Sequence, residues 1–211
     1  MVNTYLVREA DGLTLIDAAI PRSAKAILAA ASGEGAPIVR ILLTHAHGDH
    51  IGSLDELASR IPDAEVLISD RDARLLAKDT TMDPDEPDAK LKGSYPGAAT
   101  KPTRTVEAGE RIGSLEVVAA PGHTPGHVAL LDTRDGTIFC GDAYSTLGGV
   151  ATTAKVNPLF PLPGVATWHK PTALESAKAL RALEPKALAP GHGKIVASPL
   201  EAMDRAIAKS S

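Results

Sequence analysis

The chain has a single cysteine, Cys140, so no disulfide can close within it and a zinc cage built from several thiolates is excluded. Any metal must then be held by histidine and carboxylate. Aromatic residues are almost as scarce, with one Trp, three Tyr and two Phe, which predicts an aliphatic core and a pocket with few aromatic walls. No apolar run approaches the roughly 18 residues of a membrane span, and the opening MVNTYLVREADG lacks the basic and apolar regions of an export signal. A cytoplasmic chain without a membrane partner is expected. Positive charge is in deficit too, with 22 Lys and Arg against 26 Asp and Glu, which removes the basic footprint of a nucleic-acid binder. The expected partner is a small-molecule substrate.

What is present is ordinary globular composition, 44% hydrophobic and 23% charged over 211 residues. Runs at Thr4 to Val7 and Leu13 to Ile16 flank Asp11-Gly12, the signal for a β-hairpin turn. Apolar residues at three- and four-residue spacing predict a helix from Pro21 that Gly33 and Gly35 stop, and another carrying Ile51, Leu54, Leu57, Ala58 and Ile61. Buried strands are expected at Ile38 to Leu43 and Glu65 to Ile68, followed by a helix that Asp70 would cap. This β/α alternation predicts an α/β fold with helices covering a sheet. Proline and aspartate then break the pattern over Asp79 to Lys101, a long loop of the kind that serves as lid or binding loop.

Beyond the loop, short strands are expected at Arg104 to Val106, Ser114 to Ala119, Val128 to Leu131 and Thr137 to Cys140. An irregular stretch, Ala143 to Lys170, precedes a helix that Thr172-x-x-Glu175 would open as a capping box. A strand at Lys186 to Ala189 and a helix near Pro199 to Ala208 follow. The whole, residues 1–211, reads as one domain of two similar halves split near residue 101.

Three of the seven histidines fall within His45-Ala46-His47-Gly48-Asp49-His50, at the C-terminal end of a predicted buried strand, where open α/β sheets place ligand sites. Alternation puts His45 and His47 on one side of an extended segment, while Gly48 permits a bend that swings Asp49 and His50 toward a second point. Two adjacent ions are thus expected rather than one. Imidazole and carboxylate suit zinc, and also iron and manganese. His123, Asp142 and His192 each follow a predicted strand beside a glycine, so four strand ends converge on one rim.

These blocks, with Asn3-x-Tyr5 and Leu15-Ile16-Asp17, resemble the metallo-β-lactamase superfamily over nearly the whole chain. The resemblance implies a four-layer αββα sandwich and a centre of two metals, Zn²⁺ first and Fe or Mn as alternatives. It assigns His45, His47 and His123 to the first ion, Asp49, His50 and His192 to the second, and Asp142 to a bridge between them. It further implies hydrolysis of an acyl bond in a thioester, lactone or ester by a shared hydroxide, with Asp49 as proton acceptor. Thr44 and His127 would orient ligating imidazoles, and Tyr144 would stabilise an oxyanion as a catalytic residue. Tyr95, Trp168 and His169 would shape the pocket, and Cys140 would be a buried hydrophobe.

Within that family the true class B β-lactamases are a poor match, since most carry Cys where Asp142 stands. Glyoxalase II has the same ligand set but a helical extension after the last histidine, which the 19 residues beyond His192 are too few to supply. Ribonuclease Z-like enzymes need a basic exosite that this composition does not offer. The expectation is a glyoxalase II-like or lactonase-like hydrolase. A mononuclear-iron oxidoreductase of the persulfide dioxygenase type is the alternative.

Overall fold

The computed structural model describes residues 2–211. Its first part comprises β1 (Tyr5–Arg8), β2 (Leu13–Ile16), α1 (Ala24–Glu34), β3 (Ile38–Leu42), α2 (Gly48–Ile51), α3 (Leu54–Arg60), β4 (Glu65–Ser69), α4 (Asp70–Leu76) and β5 (Arg104–Val106). Then come β6 (Arg111–Ile112), β7 (Leu115–Ala119), β8 (Val128–Asp132), β9 (Thr137–Ser145), β10 (Ala151–Thr152), α5 (Leu162–Ala166), α6 (Lys170–Ala182), β11 (Ala187–His192), β12 (Val196–Ala197) and α7 (Leu200–Ser210).

The strands form two sheets, β1-β2-β3-β4-β5 and β12-β11-β9-β8-β7-β6, with β10 added against β9. Strands β2 to β5 run parallel, as do β9 and β11, and the remaining pairs are antiparallel. Side chains of the inner strands alternate between two apolar layers, as the two-residue period requires. Leu42, Leu67, Val117, Leu130 and Phe139 point into a core shared by both sheets. Their neighbours Ile41, Leu43, Val66 and Ile68 instead meet α1, α3 and α4. On the far side, Ala129, Ile138, Cys140 and Leu188 meet Ala177 and Leu180 of α6 and Met203 of α7. Helices, sheet, sheet and helices therefore stack as the αββα sandwich. Each fully buried Leu or Ile contributes about 1.5–3 kcal/mol, which is why strands buried on both faces read as continuous apolar runs.

Several local expectations are corrected. The helix expected through Ile61 is broken at Gly52, where the N–H groups of Gly52 and Ser53 bond Ala19 and Ala18 carbonyls instead of continuing the helical ladder. Ser69 rather than Asp70 caps α4, accepting from Asp72 N–H. His169, not Thr172, caps α6, because Pro171 in the first turn needs no N–H partner and the His169 ring accepts from Thr172 N–H. Strand β5 pairs with β4, so the first sheet extends to Val106, beyond residue 101. The irregular stretch after Ala143 contains the end of β9, then β10 and α5. Among the described residues no helix is long and apolar enough to cross a membrane.

Candidate metal centre

Because β2, β3 and β4 are parallel, their C-terminal ends open on one edge of the first sheet. There β2 delivers Asp17, whose own backbone is left-handed at φ 59°, and β3 delivers Thr44 and the histidine cluster. Asp17 is buried and gathers this corner. Its carboxylate accepts from Thr44 N–H at 2.7 Å and from the Thr44 hydroxyl at 2.9 Å, and it lies 2.7 Å from His50 Nδ1. The second sheet contributes the β7–β8 connection with His123 and His127, then Asp142 inside β9 and His192 at the end of β11. The Val128 N–H, which bonds Thr44 O at 3.0 Å, ties the two edges together.

In each of four imidazoles one nitrogen is engaged by the surrounding protein, which leaves the other facing inward. His45 Nδ1 lies 3.0 Å from Thr44 Oγ1, His50 Nδ1 faces Asp17, and His123 Nδ1 lies 3.1 Å from Thr167 Oγ1. His47 is reversed. Its Nε2 meets the Lys92 carbonyl at 2.9 Å, and its Nδ1 points to His123 Nε2 at 2.9 Å. Such partners on the far nitrogen fix tautomer and ring orientation in metal sites. Thr44, expected as an orienting group, does orient His45.

The inward atoms converge. His45, His47 and His123 form one group with ligand atoms all within 4.8 Å of one another, Asp49, His50 and His192 form another, and His45, His50 and Asp142 join them. Asp142 sits in the middle, its Oδ1 3.4 Å from His50 Nε2 and its Oδ2 3.4 Å from His123 Nε2 and 3.3 Å from His192 Nε2. Asp49 Oδ2 lies 3.2 Å from His192 Nε2, and Asp49 is the one carboxylate of the seven groups left half-exposed.

Electrostatics follow the burial. Burial lowers His45 and His123 well below the usual imidazole range, and it lowers His47 as well, so these rings are held neutral, the form that binds metal. For His50 burial is outweighed by the Asp142 and Asp17 carboxylates, which raise it well above the usual value. Asp142 is held well below the carboxylate range: burial works against its charge, but His50 and His192 overcome it.

The residues fit a metal centre on a direct observation. Among the described residues, His45 Nε2, His50 Nε2 and Asp142 Oδ1 are buried polar atoms without a hydrogen-bond partner, although burying such atoms unpaired is costly. A divalent cation would satisfy all three, and the imidazole and carboxylate donors are of the kind that zinc, iron or manganese accept.

A cavity of about 350 Å³ opens onto the cluster, lined by His47, Asp49, His123, Asp142 and His192 on one side and by Leu162, Pro163, Val165 and Ala166 of α5 on the other. Among the described residues, no lysine or arginine lines it. Tyr144 does not reach it, which corrects the expected oxyanion role: the side chain is fully buried in the layer under α6, and its hydroxyl donates to Ala177 O at 2.7 Å. A break in the period of β9 decides this: Tyr144 and Asp142 would share a face of an ideal strand, but the register shift opposite Pro190 and His192 ends that alternation. His127 accepts from the Asp142 N–H at 3.0 Å and so orients the carboxylate rather than an imidazole. Tyr95 packs its ring on His47 with centroids 4.7 Å apart, and Trp168 is buried with its indole N–H on Ala89 O. Cys140 is buried, as expected, and burial raises its thiol far above the usual range.

The Asp79 to Lys101 loop lies against the cluster. Besides the Lys92 carbonyl on His47, Gly48 N–H bonds Ser94 O at 3.0 Å. Gly93 has φ 88°, and a Cβ there would come within 2.3 Å of His47 Nε2, so only glycine lets the backbone pass the ring. The sequence points to no such contact, since nothing within the loop marks its partner. Asp72 and Thr167 carry no sequence signal either, since each is an ordinary polar residue in or beside a helix.

The family model described as the metallo-beta-lactamase superfamily matches residues 1–192. The "Uncharacterized protein YobT" of Bacillus subtilis (strain 168) is 50% identical over 210 residues, covering 99% of this chain and 90% of that protein. The "Probable metallo-hydrolase YflN" of the same organism is 32% identical, covering 92% and 81%. A hydroxyacylglutathione hydrolase of Xanthomonas euvesicatoria pv. vesicatoria (strain 85-10) is 36% identical over 143 residues, 66% of this chain but 45% of that protein. Among solved structures, TTHA1623 in a di-iron-bound form superposes with a TM-score of 0.72 at 28% identity, covering 96% of this chain and 92% of that one. With the family match spanning most of its length and the His/Asp cluster in place at the shared sheet edge, the chain belongs to the metallo-β-lactamase superfamily.

Proposed function

We propose that the chain is a hydrolase that cleaves the acyl bond of a small, uncharged lactone, ester or thioester, using two divalent cations, zinc in the first instance. The carrying observation is the continuous arrangement of three ligand groups with Asp142 at its centre and unpartnered His45, His50 and Asp142 atoms facing inward. His45, His47 and His123 would hold one ion, Asp49, His50 and His192 the other, and Asp142 would contribute to both. Ions bound there would supply a water acidified toward neutral pH and would polarise a carbonyl oxygen.

The protein's own residues set the rest. Asp49 reaches the cavity half-exposed, and His192 and His50 hold its carboxyl below the usual range against burial, so it stays an acceptor for the proton of an attacking water. Leu162 and Val165 present exposed apolar surface opposite it, and without a lysine or arginine in the lining a substrate tail gains more from being apolar than anionic. The relatives named metallo-hydrolase and hydroxyacylglutathione hydrolase support hydrolysis. TTHA1623 in its di-iron-bound form keeps iron among the candidate ions. A cytoplasmic location accords with the single buried thiol.

The test is metal analysis of the purified protein together with rates on neutral esters, lactones and thioesters of graded acyl length and on a glutathione thioester. Two ions per chain, hydrolysis lost with a chelator and restored by Zn²⁺, and a preference for neutral apolar acyl groups are expected. One ion per chain with consumption of oxygen would favour the mononuclear oxidoreductase, and full activity after complete demetallation would end the reading. Asp142→Ala is expected to lose an ion and most of the activity.

A further inference from the structure

The metal-centre reading leaves one wholly buried carboxylate beside the site without a task. Asp72 sits in the first turn of α4, fully enclosed, and three donors from two different loops point at it. Its Oδ2 accepts from the Ala46 N–H at 2.9 Å and from the Thr124 hydroxyl at 2.7 Å, and its Oδ1 accepts from the Gly126 N–H at 2.8 Å. Ala46 lies between His45 and His47, Thr124 follows His123, and Gly126 precedes His127.

The same turn holds the second loop by its carbonyl as well: the Ser69 hydroxyl donates to Gly126 O at 2.5 Å while accepting from Asp72 N–H. The seat is tight. A Cβ on Gly126 would stand 2.6 Å from both Asp72 N and Ser69 Oγ. Among the described residues no cation hydrogen-bonds the carboxylate; the neighbouring Arg71, engaged with Glu86 at 2.6 Å, acts on it only through its charge. Burial raises Asp72 to about 6, against the three donors that favour its charge. A buried carboxylate is tolerated only where its oxygens are used, and here both are used across the gap between the sheets, which lessens but does not cancel the cost of burying the charge.

We propose that Asp72 is a positioning residue that staples the His45–His47 loop of the first sheet to the His123–His127 loop of the second, and so sets the spacing of the His45, His47 and His123 metal site. That group alone draws its ligands from both stapled loops, whereas Asp49, His50 and His192 receive no bond from Asp72. The staple acts through backbone spacing and touches neither ion nor substrate. It rests on the metal-centre reading above.

The experiment is the affinity for Zn²⁺, read by competition with a chromophoric chelator in two backgrounds, His192→Ala, which disables the second group, and His123→Ala, which disables the first. Asp72→Asn keeps the volume but turns an NH₂ group toward one of the N–H or O–H donors. It is expected to weaken Zn²⁺ binding roughly tenfold to a hundredfold in the His192→Ala background, the usual effect of losing a group that orients metal ligands, and to leave the His123→Ala background nearly unchanged. In the metal-free chain the Ala46 and Gly126 amides should exchange with solvent faster. Unchanged affinity in both backgrounds, or equal loss in both, would overturn the staple. Should Asp72→Asn fail to fold, Thr124→Val removes one of the three bonds at constant shape and should weaken the first site several-fold; no loss there overturns the proposal. A parent chain that takes up no zinc overturns the metal reading itself, and the staple with it.

Discussion

Asp17→Asn changes one atom of a buried carboxylate and removes no proposed ligand. The Asp17 oxygen that faces His50 Nδ1 at 2.7 Å accepts a hydrogen bond from that ring, so when the ring gives up one proton to bind a metal it is Nε2, facing Asp142 and Asp49, that becomes bare. In the variant the remaining carbonyl oxygen keeps the Thr44 N–H, a bond of 2.7 Å in the parent, and the NH₂ group turns to His50. Having become a donor, it pairs with a deprotonated Nδ1, so the ring proton moves to Nε2, the atom that should bind metal. The size of the effect is that of disturbing a group that orients a ligating imidazole, roughly tenfold to a hundredfold in metal affinity or about 1.4–2.7 kcal/mol. It should fall on the Asp49, His50 and His192 site. Two assays bear on it: nitrogen-15 spectra of the His50 ring in the metal-free protein at a pH alkaline enough to leave the ring neutral, which report the tautomer directly, and stepwise Zn²⁺ affinity. A parent-like tautomer, or loss confined to the His45, His47 and His123 site, would refute the reasoning.

Other perturbations separate local roles. Gly93→Ala forces a side chain into the His47 ring from a left-handed backbone, and should cost about 1–3 kcal/mol of stability, read by denaturant titration, along with first-site metal affinity; a neutral result would mean that the loop does not press on His47. Tyr144→Phe removes the bond to Ala177 O and should cost about 1 kcal/mol in thermal unfolding while leaving kcat unchanged, whereas a large drop in kcat would restore an oxyanion role. For Asp72, the unfolded chain loses its proton near 3.8 and the folded one near 6, so below 3.8 the group does not oppose folding. As pH rises from 3.8 to 6 the metal-free parent should lose about 3 kcal/mol relative to Asp72→Asn, and a pH-independent difference between their denaturation curves would contradict the buried, uncompensated carboxylate.

Much of the fold was legible because its signals are local. The apolar runs at Ile38 to Leu43 and Glu65 to Ile68 are strands buried on both faces, and Asp11-Gly12 does turn the β1–β2 hairpin. What was misread depended on distant partners. Gly52 and Ser53 give their N–H groups to the Ala18–Ala19 segment, which no helical period can announce, and Arg104–Val106 joined the first sheet because β4 had a free edge there. Tyr144 stands two residues from Asp142, yet a shift in β-register sent its side chain into the layer beneath α6.

By itself the sequence determined the donor chemistry. Histidines and aspartates placed beside glycines at strand ends, with one thiol too few for any cysteine cage, leave imidazole and carboxylate to bind a metal, and this follows from residue types and short spacings alone. Only the tertiary structure decided which nitrogen of each ring faces inward, because that choice is made by Asp17, Thr44, Lys92 and Thr167, groups brought together from separate elements. It also decided that Asp72 spans two loops 78 positions apart in the chain, from Ala46 to Thr124, since a hydrogen bond depends on distance in space and leaves no period in the sequence.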